Sequence, residues 1–133
     1  MRSVGSAYFT RVADSDTRAQ IGLAGWHADF PSTSTFLDLF ACRNFLPRSP
    51  DNENLSQFCD RRADDLMRRA TEAQTSDPRA ADALWARAEQ RVLAAVAAIP
   101  LVNAQRTDLV STRVRNDQYH ANWSLLLDQV SVR

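Results

Sequence analysis

Lysine is missing from this chain, and every one of its sixteen basic side chains is arginine. Arginine codons are GC-rich and lysine codons AT-rich, so the bias points to a high-GC genome rather than to arginine-specific chemistry. The abundance of alanine agrees. Glycine is scarce, at three residues, and no glycine-rich phosphate loop, G-x-S-x-G elbow or H-E-x-x-H pair is present. Histidine occurs only at His27 and His120, far apart in sequence. Net charge is also lacking: sixteen acids balance sixteen bases, which removes any long-range pull toward nucleic acid or an anionic membrane. No apolar run approaches the roughly eighteen residues of a membrane helix. The opening Met1-Arg2-Ser3-Val4-Gly5 has no hydrophobic stretch to act as a secretion signal. Read literally, the chain stays in the cytosol or begins downstream of its natural start.

What is present is an ordinary globular composition. At 133 residues it fits a single domain, 1–133, with one modest core. Residues 6–30 read as extended, with one strand around Tyr8, Phe9 and Val12 and a second over Ile21–Trp26. Two glycines in the second suggest a close backbone approach. Pro31 ends it, Ser32 to Ser34 offer caps, and Thr35–Phe40 reads as a short helix. A loop with Pro47, Pro50 and Asp51-Asn52 covers 43–54. Asp60 is placed to cap a helix to about Ala73, with Ala63, Leu66, Met67 and Ala70 on one face. Ser76 or Asp77 caps another, with Pro78 in its first turn. Its stripe of Ala81, Leu84, Trp85, Ala88, Val92 and Val96 runs to just before Pro100. Ile99–Asn103 reads as a strand, 108–111 as an extended piece, and 123–130 as an apolar tail of unresolved type. The expected fold is α/β: a small mixed sheet with two main flanking helices.

Three groups of residues carry chemistry worth weighing. In Trp26-His27-Ala28-Asp29-Phe30-Pro31, an acid beside aromatic rings at a strand end suits an organic cation, through charge-assisted hydrogen bonds and the indole face. The structural alternative makes Asp29 a helix cap and Trp26 core. Cys42 and Cys59 lack the short-spaced partners of a zinc site. Either a disulfide, worth roughly 3 kcal/mol of loop closure, or two reduced thiols would satisfy them. Arg61, Arg62, Arg68 and Arg69 interleave with Asp60, Asp64 and Asp65, which predicts salt-linked solvated faces rather than a nucleic-acid surface. No catalytic residue, metal site or cofactor site is assigned, and the chain is read as a non-enzyme. A hydrolase pairing His27 with Asp29 is the third reading.

The order of motifs resembles the C-terminal portion of bacterial, actinobacterial-type family-5 extracellular solute-binding proteins, the peptide- and nickel-type receptors of ABC importers. Gly25-Trp26-His27-Ala28-Asp29-Phe30-Pro31 with Phe36-Leu37 is similar to a strand ending in W-x-x-D-aromatic-P before a short helix. Ile99-Pro100-Leu101 with Asn103 is similar to a later I-P-L segment. The cysteine pair in Leu39-Phe40-Ala41-Cys42 and Phe58-Cys59-Asp60, Asp108–Ser111 with Arg113-Val114, Asn116–His120, and Trp123 with Leu126–Gln129 extend the likeness. It covers about residue 20 to the end. One departure lies in Ala94–Ala98, where the family carries an acidic-proline pair and an aromatic residue.

The resemblance implies part of the C-terminal lobe of a periplasmic-binding-protein-like class II fold, about the last quarter of such a receptor. It implies that Asp29 meets a ligand ammonium group, with Trp26, His27 and Phe30 around it, and that Cys42 and Cys59 form a disulfide. The implied partners are a peptide or other small solute and, through the full-length receptor, the importer's permease. The implied place is a cell-surface lipoprotein, against the cytosol if the chain is complete as written. A lobe fragment would also expose a sheet edge and an apolar patch. The second reading is a cytoplasmic sensory or protein-interaction domain reusing the same fold.

Overall fold

Asp60 and Asp77 open the two helices that organise the molecule. In the computed structural model, which describes residues 7–105, 107–120 and 122–133, each aspartate has left the helical backbone region and accepts a backbone N–H through its carboxylate. Asp60 accepts from Arg62 at 2.9 Å and Asp77 from Ala80 at 3.0 Å. These bonds satisfy donors that a helix start otherwise leaves open. Helix α3 spans Arg61–Ala73 and α4 spans Pro78–Ala94, joined by a tight turn in which the Asp77 N–H donates to Ala73 O at 2.8 Å. Two shorter helices precede them, α1 at Tyr8–Ala13 and α2 at Ser34–Leu37, the latter extended by a 3-10 turn over Asp38–Phe40.

The apolar faces expected for α3 and α4 meet in the core. Ala63, Leu66, Met67 and Ala70 of α3 are buried, as are Ala81, Trp85, Ala88 and Val92 of α4. Leu37, Ala41, Phe40 and Phe58 close the cluster. Alanines at the contact let the two backbones approach closely, and Trp85 fills the space this leaves. The antiparallel arrangement brings the end of α4 to the start of α3. There the Arg91 guanidinium donates to the Asp60 carboxylate at 2.6 Å.

Helix α4 stops earlier than its apolar stripe suggests. The Val96 N–H donates to Leu93 O at 2.9 Å and the Ala97 N–H reaches back to Val92 O at 3.1 Å. This paired closure puts Val96 in the left-handed region at φ 54, a site that favours glycine. Val96 is therefore exposed rather than part of the core stripe.

The sheet differs more from expectation. Among the described residues, strand structure consists of two antiparallel ribbons near the C-terminus, so the mixed sheet is not formed. Val114–Arg115 (β1) pairs with Ser131–Val132 (β4), and Tyr119–His120 (β2) pairs with Ser124–Leu125 (β3). The Leu126 N–H donates to Gln118 O at 2.9 Å, and the Asn116 amide donates to Gln129 O at 2.9 Å. The ribbons are thus nested within one long hairpin. The strand expected at Tyr8–Val12 is α1 instead. Tyr8 and Val12, four residues apart, share the helix face that meets Gly22, where an added Cβ would lie 3.0 Å from Val12 and 3.2 Å from the Tyr8 hydroxyl. The close approach expected of a glycine in this segment is therefore real at Gly22. Ile21–Trp26 and Ile99–Asn103 carry no regular secondary structure, so the strands expected there are not formed. The expectation of extended chain from residue 6 includes one position, Ser6, outside the described residues.

Cys42 and Cys59 form a disulfide, closing the proline-bearing loop. Two buried asparagines organise the loop from within. The Asn52 amide donates to Ala13 O and Asn54 O, both at 3.1 Å, and its oxygen accepts the Leu46 N–H at 3.0 Å. The Asn54 amide donates to Phe58 O at 2.7 Å, while its oxygen accepts from Ser56 Oγ at 2.9 Å and from the Phe58 N–H at 3.3 Å. Every buried polar atom of the pair is used, as burial requires.

Candidate functional site

Pro31 lies just before α2, and Asp29 is bonded to the first turn of that helix. The Asp29 N–H donates to Thr35 Oγ1 at 3.0 Å, and the Thr35 hydroxyl donates back to Asp29 Oδ2 at 3.1 Å. Thr35 is buried, whereas Asp29 is exposed. This reciprocal pair ties the segment to the helix with one carboxylate oxygen, and among the described residues no hydrogen bond reaches Oδ1. Asp29 is not the helix cap; Thr33 occupies that position, without a side-chain bond. Trp26 and Phe30 are 44% and 48% exposed, so neither ring is core. His27 is exposed, and among the described residues no hydrogen bond joins it to Asp29. The acid–base pair imagined for a hydrolase is therefore not assembled.

A second element reaches this segment from the far end of the chain. The Asn122 side-chain amide donates to Ala28 O at 3.2 Å, at the midpoint between Trp26 and Phe30. The turn that carries Asn122 is held by His120, whose Nδ1 accepts the N–H of Asn122 at 3.1 Å and of Trp123 at 3.4 Å. The imidazole also stacks on Trp123, with ring centroids 4.4 Å apart and planes at 20°. Thr35, Asn122 and this stack were not singled out by sequence reasoning. The signal available was an Asn-Trp pair just after a histidine in a hairpin turn, but a bond spanning 94 residues leaves no local pattern.

Other polar groups are structural. The Asp60 carboxyl is raised by burial but lowered more by the Arg62 N–H and the Arg91 guanidinium, so it ends below the ordinary carboxylate value. Asp65 is lowered chiefly by its hydrogen bond from Arg68. Arg68 spans Asp65 at 2.6 Å and Glu72 at 2.7 Å, the solvated salt-linked face expected of α3. A shallow cleft of about 400 Å³ lies among Pro31, Gln74, Pro78, Asp82 and Trp85, and none of the predicted site residues lines it. Among the described residues no cluster of His, Cys, Asp and Glu is placed to hold a metal ion, and no helix is long and apolar enough to cross a membrane.

Compared with protein-family models, with curated proteins and with solved structures, the chain finds no match.

Proposed function

We propose that this chain is the C-terminal part of a family-5-type solute-binding protein, contributing a cation-recognising wall at Asp29 to a receptor for peptides or similar small solutes. The observation that carries this reading is the state of Asp29. Its backbone and one carboxylate oxygen are fixed by Thr35, the residue is exposed with no hydrogen bond to the other oxygen among the described residues, and exposed aromatic residues precede and follow it in the chain. A carboxylate oriented before the ligand arrives loses little entropy on binding an ammonium group. Nearby ring faces add attraction for the same cation. In the complete receptor, capture follows from closure of two lobes about a hinge, and no bond is made or broken. The permease of an ABC importer is then the downstream partner, and the finer fold is part of a class II periplasmic-binding-like lobe.

Two further features support this reading over a cytosolic regulator domain. The Cys42–Cys59 disulfide suits an oxidising, extracytoplasmic compartment. Ile21, Leu23, Ile99, Leu101, Val102 and Leu109 are all exposed, on segments without regular secondary structure, as a surface normally covered by further sequence would be. The test is titration of the chain with alanyl-alanine and with its N-acetylated form, followed by amide chemical shifts. Binding near Asp29 is expected in the millimolar range, about 4 kcal/mol, because one wall is present. It should vanish on N-acetylation and in Asp29→Asn. Equal binding of both peptides, or full binding by Asp29→Asn, would refute the role. Thiol trapping in cells should find both cysteines oxidised; reduced thiols would return the protein to the cytosolic reading.

A further inference from the structure

We infer that His120, Asn122 and Trp123 form the opposite wall of the Asp29 site, and that they select ligands carrying an apolar or aromatic group next to the ammonium. The inference rests on the Asp29 reading and adds the residues that would set specificity. Asn122 ties the hairpin to Ala28, the residue immediately before Asp29. The next residue, Trp123, is 67% exposed, yet it is not loosely held. One face lies on the His120 imidazole, and its own N–H and that of Asn122 are both directed at His120 Nδ1. An ordered indole with an open face, anchored one residue from a bond to the Asp29 segment, is an unusual surface for a side chain that soluble proteins tend to cover. With Trp26 and Phe30 it makes a third exposed aromatic ring on the two segments that this bond joins. An ammonium donates to Asp29, and the substituent on its carbon packs against the Trp123 ring. A bare ammonium uses only the first of these contacts.

Amide and indole chemical shifts of the whole chain, titrated with phenylalanyl-alanine and alanyl-alanine, test this. The wild type should prefer the phenylalanyl peptide by about fivefold, the scale of one aromatic contact. Trp123→Ala and Asn122→Ala should each erase the preference, so that the two peptides bind alike, with the buried Trp85 indole resonance confirming that the core is intact. Without ligand, Asn122→Ala should also move the Trp26 indole resonance. A preference that survives both variants, or an unmoved Trp26 resonance, overturns this inference while leaving the Asp29 reading in place. Undiminished binding by Asp29→Asn, or no binding of either peptide to the wild type, overturns both.

Discussion

Replacing both cysteines by alanine probes how the loop between them is held. The disulfide joins residues 17 apart, and closing a loop of that length in the unfolded chain corresponds to about 3 kcal/mol in the chain-entropy model. In the folded state the same loop has independent anchors. Asn52 and Asn54 bind six backbone groups within and across it, and the Cys42 N–H donates to the Asp64 carboxylate at 3.0 Å. The native geometry should therefore survive the substitution, and the loss should fall on the unfolded side. Urea unfolding of Cys42→Ala/Cys59→Ala against the oxidised wild type should show a loss of about 3 kcal/mol, equivalent to roughly 10–15 °C in Tm. It should also show a steeper denaturant dependence, because the uncrosslinked chain exposes more surface. Amide shifts of α3 and α4 should be unchanged. A loss under about 1 kcal/mol, or collapse of the native spectrum, would refute this division between folded and unfolded states.

Other substitutions follow from the same geometry. Asn54→Ala leaves the partly buried Phe58 carbonyl and N–H and the buried Ala41 carbonyl without this partner, and chemical denaturation should show a cost of about 2–3 kcal/mol. Val96→Gly relieves a β-branched residue held at φ 54 and should stabilise by about 1 kcal/mol in the same assay; destabilisation would mean that the helix closure is misread. Asp60 has a folded-state value below its ordinary 3.8, so its contribution is complete above that pH and disappears as pH falls through the lower folded value. Asp60→Asn should therefore flatten the acid limb of stability below about pH 4 and leave the slope near neutrality unchanged, measured by thermal melts across pH.

The helical half of the molecule could be read from its residues because its signals are local. Asp60 and Asp77 cap, Pro78 fits a first turn, and the alanine-rich faces repeat at helical spacing over more than three turns. The end of α4 could not, since Val96 stands where glycine normally announces the closure. Tyr8, Phe9 and Val12 favour strands by type, but their one- and four-residue offsets suit a helix face, and packing on Gly22 decided for the helix. Ile21–Trp26 and Ile99–Asn103 have strand character without strand partners, and pairing is not a property of a segment by itself. Of the candidate site, Trp26, Asp29 and Phe30 stood out by chemistry. Thr35 looked like one more polar residue at a helix start, and Asn122 acts on Ala28 from the far end of the chain, where no spacing rule reaches.

The most direct measurement is the Asp29 side-chain carboxyl carbon resonance, followed while alanyl-alanine is added to the whole chain. The account predicts a saturable shift of that resonance, with accompanying movement at Trp26 and Thr35 and none in N-acetylated controls. An Asp29 carboxyl that stays still while resonances move in the cleft between Gln74 and Trp85 would place the ligand elsewhere and contradict it.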